Sequence, residues 1–400
     1  MKLVSLDPDS LAFGQPLPFA LRGADGNLLA KKGYVVRKQK DVDVLLERGV
    51  SLCVDIEESG ESYRAYLAQL QQMLVSDTSL GEIAAMKIAG SAQTGNGPAL
   101  ERPVDWPELQ WATTQLLGGP NAVDFSARFL ALQSDVSRAC LQAPDATLLA
   151  LIQRSSDEIR LYSATHALLV ASVCMLVARE GLHWSTEQVD RTGRVALSMN
   201  IAMTELQDRL AQQSAPLTAV QIPQIQDHAE RSAALLAALG VSDRVWLDAV
   251  RQHHDRAPGP LAGRSEAGQI ARLVQRSDIF AARLAPRAGR APMAVTAAIK
   301  ACYYDENRQV DEVGATMLNT LGIYPPGALV KLASQEIGVV LKRGATPTTP
   351  RVAVVRSRSG MPTGEMIPRD TAQPSWRITG VVSQQELRMQ LPIERLAAMV

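Results

Sequence analysis

Apolar residues recur at three- and four-residue steps from Trp106 to Leu321, with few β-branched runs between them. That period puts one face of each segment into a core and predicts a helical bundle over 106–322. The flanks read differently. Before residue 58, short runs such as Pro18-Phe19-Ala20-Leu21 and Leu28-Leu29 surround the turn chemistry of Gly23-Ala24-Asp25-Gly26-Asn27, which predicts a small β-rich module over 1–58. A helical connector is expected over 59–90. The small and polar residues Gly90-Ser91-Ala92-Gln93-Thr94-Gly95-Asn96-Gly97-Pro98 then open a linker over 91–105. After Tyr324-Pro325-Pro326-Gly327, the runs Ile337-Gly338-Val339-Val340-Leu341 and Val352-Ala353-Val354-Val355 predict a β-rich segment over 323–400, packed on the bundle. The fold class is mainly α with two β-rich ends.

Helix punctuation supports this division. Ser185-Thr186-Glu187-Gln188 and Thr218-Ala219-Val220-Gln221 have capping-box spacing, in which a hydroxyl and an amide satisfy orphan N–H groups. Gly240 supplies the left-handed residue that ends the helix opened at Thr218.

Charge excludes one class of partner: Lys+Arg and Asp+Glu are both 41, so the global balance offers nucleic acid no attraction. No purely apolar run reaches the ~18 residues of a membrane helix, and the longest, Ala167 to Ala178, reads as a core helix. Cys53, Cys140, Cys174 and Cys302 are far apart, which fits reduced core thiols. The expectation is a cytoplasmic protein without a membrane partner.

Chemistry concentrates in the helical domain. Of five histidines, His166, His228, His253 and His254 lie there at positions that can face one another. His166 shares a buried stripe with Tyr162, Leu169 and Val173. His228 lies on the apolar side of its own helix, and His253-His254 continue the stripe of Trp246, Ala249 and Val250. Asp278 is an acid in an apolar helix, where a carboxylate needs a partner to offset desolvation. Four imidazoles and a carboxylate can ligate a first-row transition metal and activate water. Each residue alone also fits a satisfied core histidine or an ion-paired aspartate.

The order of these residues resembles the HD-GYP family, metal-dependent phosphodiesterases that open cyclic di-GMP. Four segments carry the resemblance, from about Asp145 to Arg290: Leu161-Tyr162-Ser163-Ala164-Thr165-His166-Ala167; Asp227-His228-Ala229-Glu230 through Leu236; Trp246 through His253-His254-Asp255-Arg256; and Arg276-Ser277-Asp278-Ile279-Phe280-Ala281-Ala282. It implies an HD-type helical bundle, with His166, His228, His253, His254 and Asp278 as ligands. The family's cofactor is a cluster of two or three iron, manganese or similar ions; in this chain the expectation is at most one divalent ion, Fe, Mn or Zn, on His228, His253, His254 and Asp278.

The chain departs from the family pattern at several points. Met199-Asn200 stand where the namesake His-Asp pair belongs, Met203 replaces a lysine, and Tyr162 replaces an acidic ligand. The Gly-Tyr-Pro loop is shortened to Ala257-Pro258-Gly259-Pro260. A neutral amide cannot offset two close cations, and a thioether is a soft donor. Without a well-held metal, water stays near a pKa of about 15.7 instead of about 7. The expectation is a degenerate signalling module without family catalysis, a scaffold or sensor that engages a signalling protein, a cyclic dinucleotide or a second copy of itself. The alternative reading is a metal-dependent phosphohydrolase with an altered site. In a further reading, His253, His254 and Arg256 or Arg276 meet a phosphate without turnover.

Overall fold

The computed structural model describes residues 3–6, 17, 20–24, 28–30, 34, 36, 51–55 and 104–400, leaving out 158, 289 and 388. The expected connector over 59–90, most of the linker over 91–105 and residues 25–27 of the expected turn lie outside the described residues. The chain divides into two units, Met1–Glu101 and Arg102–Val400.

The first unit contains a four-stranded antiparallel sheet of β1 (Leu3–Leu6), β2 (Leu21–Arg22), β3 (Leu28–Ala30) and β4 (Leu52–Asp55), in the order β1-β4-β2-β3. Leu21, Leu52 and Val54 are fully buried in it.

The second unit opens with α1 (Trp106–Gly118), α2 (Phe125–Gln142), α3 (Pro144–Asp157) and α4 (Tyr162–Leu176). All fifteen residues of α4 are buried, so this is the central helix and has no polar face to keep in water. With its π-helical extension Val177–Gly181 it is the one helix among the described residues long and apolar enough to cross a membrane. That stretch exceeds the Ala167–Ala178 run visible in the sequence, and 94% of its most apolar window is buried inside the fold. Its apolarity serves the core. α5 (Thr186–Ser198) lies against α4 at Gly193, where a Cβ would meet Met175 Sδ at 2.7 Å.

A short 3-10 turn, Ile201–Met203, leads to α6 (Thr204–Gln212), α7 (Gln221–Gln226), α8 (His228–Ala238), α9 (Arg244–Gln252) and α10 (Glu266–Leu284). Both capping boxes form: Ser185 with Gln188, and Thr218 with Gln221. The helix opened at Thr218 does not run to Gly240, however; it breaks at Asp227, and Gly240 (φ +94°) closes only α8. α11 (Val295–Lys300) and α12 (Glu312–Leu321) complete the bundle.

Then β5 (Leu329–Leu332), β6 (Ile337–Lys342), β7 (Arg351–Arg356), β8 (Pro362–Asp370) and β9 (Ile378–Val381) form an antiparallel sheet in the order β8-β7-β6-β5-β9. Val330, Val340, Val352 and Val354 join the helical core, which is the β-rich end expected to pack on the bundle. Arg343, just past β6, fastens it by bonding Asp145 of α3 and, at 2.6 Å, Glu180 beyond α4. α13 (Gln384–Leu387) and α14 (Ile393–Ala397) end the chain.

Candidate metal centre

Two helix termini deliver three imidazoles to one point. The break at Asp227 makes His228 the first residue of α8, and its Nδ1 donates to the Ile225 carbonyl at 2.6 Å. His253 caps the C-terminus of α9 and its Nδ1 donates to the Val250 carbonyl, also at 2.6 Å. With the ring proton held on Nδ1, each Nε2 is left with a bare lone pair. Those lone pairs face each other: His228 Nε2 lies 3.2 Å from His253 Nε2 and 3.1 Å from His254 Nε2, and all three ligand atoms fall within 4.8 Å. His228 and His253 are buried, while His254 brings the cluster to the surface.

Burial lowers the proton affinity of all three rings. It pushes His253 down to about 3, with repulsion from His254 adding to the effect, and it lowers His228 and His254 as well. Near neutral pH the three rings are therefore neutral, and the Nε2 lone pairs of His228 and His253 are free to meet a cation. A tetrahedral zinc with Zn–N of about 2.0–2.1 Å spaces its nitrogens roughly 3.3–3.4 Å apart. The cluster is built to that scale.

Asp278, on α10, makes a different contact. His166 Nε2 on α4 donates to Asp278 Oδ1 at 2.7 Å, and the side chains are only 3% and 19% exposed. Burial alone would raise the carboxyl pKa; the hydrogen bond from His166, with the electrostatic pull of the His166, His253 and His254 rings, outweighs it and holds Asp278 down to about 2. The partner that a buried carboxylate requires is thus His166, whose Nδ1 is buried without a hydrogen-bond partner. Tyr162 stacks on the His166 ring at 5.5 Å, and its hydroxyl accepts from Arg287 at 2.9 Å.

Met199 and Asn200 sit at the end of α5, beside His166. Together with Ser163, Ala167, Thr204 and Gln207 they line a small cleft, and no carboxylate lines it. Met203, in the following turn, is buried. Of the five candidate ligands, three converge and the other two bond each other.

Several positioning groups had no signature in the sequence. Gln275 donates to the Asp255 carbonyl at 2.7 Å and ties the His253-His254 corner to α10. Arg191 bonds Glu187, Asp243 and Glu266, joining α5 to the starts of α9 and α10. Asp208 accepts from the Ser163 N–H at 2.7 Å and hydroxyl at 2.9 Å, capping α4 from 45 residues away. Arg276, considered above as a phosphate contact, is buried and committed to Tyr304, Glu306 and Asp311.

No family model matches the chain. It is 26% identical over 242 residues to a cyclic di-GMP phosphodiesterase of Pseudomonas aeruginosa, a match covering 59% of this chain. The chain spans 58% of the length of that relative. Among solved structures, an HDG"Y"P protein from Bdellovibrio bacteriovorus aligns with 79% of this chain and 98% of its own, at 13% identity and a TM-score of 0.42, too loose a likeness to fix a site. The sequence match agrees with the resemblance to the HD-GYP proteins read from the four segments.

Proposed function

We propose that this chain is a signalling module of HD-GYP type that has lost phosphodiesterase turnover and acts through binding, as a sensor or scaffold. The observation that carries this reading is the cleft beside His166, lined by Met199 and Asn200 and by no carboxylate. Two-metal hydrolysis needs negative oxygen donors between its ions, and a thioether and an amide supply none. The three imidazoles fit one divalent cation, which would polarise or activate a bound water there. His228, His253 and His254 would hold it.

The ligand of the sensor is a cyclic dinucleotide, by analogy with the Pseudomonas relative. Arg287, bonded to Tyr162 over the His166 ring, is the nearby cation that supports a phosphate contact. Purified protein incubated with cyclic di-GMP and manganese, iron or zinc should release no linear dinucleotide, while calorimetry should detect binding. Turnover would overturn the reading.

The three-histidine cluster favours a second reading, a metal-dependent phosphohydrolase with a changed substrate, because three imidazoles plus an open position are also a catalytic zinc set. Hydrolysis of a generic phosphodiester that disappears in His253→Ala would select it.

A further inference from the structure

We infer that the outer face of α2 is an interface between two copies of this chain, packed antiparallel about a two-fold axis at Ala131. It is independent of the metal centre and of the function proposed above.

α2 is two-faced. Phe125, Phe129, Leu132 and Val136 are buried inside the bundle. On the opposite side Ala127, Ala131 and Ser134 recur at four- and three-residue steps and are exposed, so the middle of the outer face is smooth and a neighbouring backbone can come close. Large apolar residues hold one flank of it: Leu130 is 50% exposed, Leu141 60%, and Val123, just before the helix, 92%. One such residue on a surface is ordinary. Three along one flank of one helix mark a contact.

Charges hold the other flank, as the exposed pairs Arg128–Asp124 at 3.5 Å and Arg138–Asp135. Pairs of this kind add little to the fold itself. Their order selects the occupant. Reversal about Ala131 sets position 124 across from 138 and position 128 across from 134–135, so an acid meets an arginine at both places when the partner is a second copy running antiparallel. A parallel copy in register would set each charge against its own like. The two-fold also keeps each flank on its own side, which brings Leu141 of one copy to Val123 of the other while the ion pairs form along the opposite edge. At 1.5 Å per residue the 18 residues of α2 make a contact about 27 Å long. A patch one helix wide lies at the small end of specific interfaces, which sets the expected dissociation constant in the micromolar range.

The test is sedimentation equilibrium of the full chain over roughly 1–100 µM, with a cross-linking arm. A monomer–dimer equilibrium is expected. Arg138→Glu, at an exposed position, places like charge opposite Asp124 of the other copy and should raise the dissociation constant at least about tenfold. Adding Asp124→Arg should restore it, and Asp124 makes no side-chain cap bond whose loss would disturb the start of the helix. Within one chain, positions 124 and 138 are about 21 Å apart along the helix, so that rescue can come only from a second copy. Ala131→Cys lies on the axis and should form an interchain disulfide under mild oxidation, whereas Gln142→Cys stands far from its own copy in this register and should not. The native thiols are all buried and leave that readout clean. A monomer throughout the range, a dimer indifferent to Arg138→Glu, failure of the double variant to recover, or cross-linking through Gln142→Cys in preference to Ala131→Cys would each overturn the inference.

Discussion

The two halves of the centre have the same kind of raw material and opposite outcomes. On one side, His228, His253 and His254 come from helix termini, with two rings pinned by their own backbone and their lone pairs left facing one another. On the other, His166 and Asp278 come from helix interiors and bond each other through one ring nitrogen and one oxygen, beside a cleft where Met199 and Asn200 bring no charge. Buried donors aimed at a common point are costly unless something cationic joins them. A buried donor and acceptor that meet offset that cost at the two atoms they share. The difference teaches that keeping a ligand residue is not the same as keeping its role.

The largest effect that can break this comparison is on metal affinity. His253→Ala should weaken zinc binding more than about 100-fold, because it removes a first ligand and not a supporting one. A loss of similar size in Asp278→Ala would show that the two halves work as one site.

The next lies in acid. His253 stays neutral in the fold down to about 3, whereas in the unfolded chain it takes a proton near its ordinary 6.5. Between those values the unfolded state binds more protons, so this stability is complete above the ordinary value and drains away as pH falls. Asp278 is also depressed, from 3.8 to about 2, so its contribution is lost only in that lower window. In chelator, the urea midpoint of the wild type should drop between about pH 7 and pH 5, and His253→Gln should flatten that slope. A midpoint insensitive to pH over this range would remove the distinction.

Third in size, Asp278→Ala leaves His166 buried with no partner at either nitrogen and should cost about 1–3 kcal/mol in denaturant unfolding. Smallest, Asp208→Ala removes the cap of α4 and should cost about 1 kcal/mol while leaving zinc affinity unchanged, since α4 carries only His166 of the five. A change in zinc affinity would couple the halves through α4.

Much of this was legible before any coordinates. Periodicity located the helices, the reciprocal spacing of Ser185 with Gln188 placed the start of α5, and an acid in an apolar helix announced that Asp278 needed a partner. Other features were hidden for physical reasons. The break at Asp227 leaves no trace in apolar spacing, yet it sets the His228 ring on the Ile225 carbonyl. The Gln275 bond to the Asp255 backbone and the Asp208 cap on Ser163 join residues far apart in the chain, and neither a lone glutamine nor a lone aspartate has a period. Which histidines would converge and which would pair depended on helix ends meeting in space.

The central helix α4 has a consequence for how the protein is made. Synthesis proceeds from the N-terminus, so Tyr162–Gly181 emerges from the ribosome before α5 and α10, two of the helices that cover it. For that interval the nascent chain displays a 20-residue stretch that, by length and apolarity alone, is indistinguishable from a membrane anchor. Chains terminated ahead of Glu266 should therefore be clients of chaperones or targeting factors, and productive folding waits on the ribosome reaching Leu284.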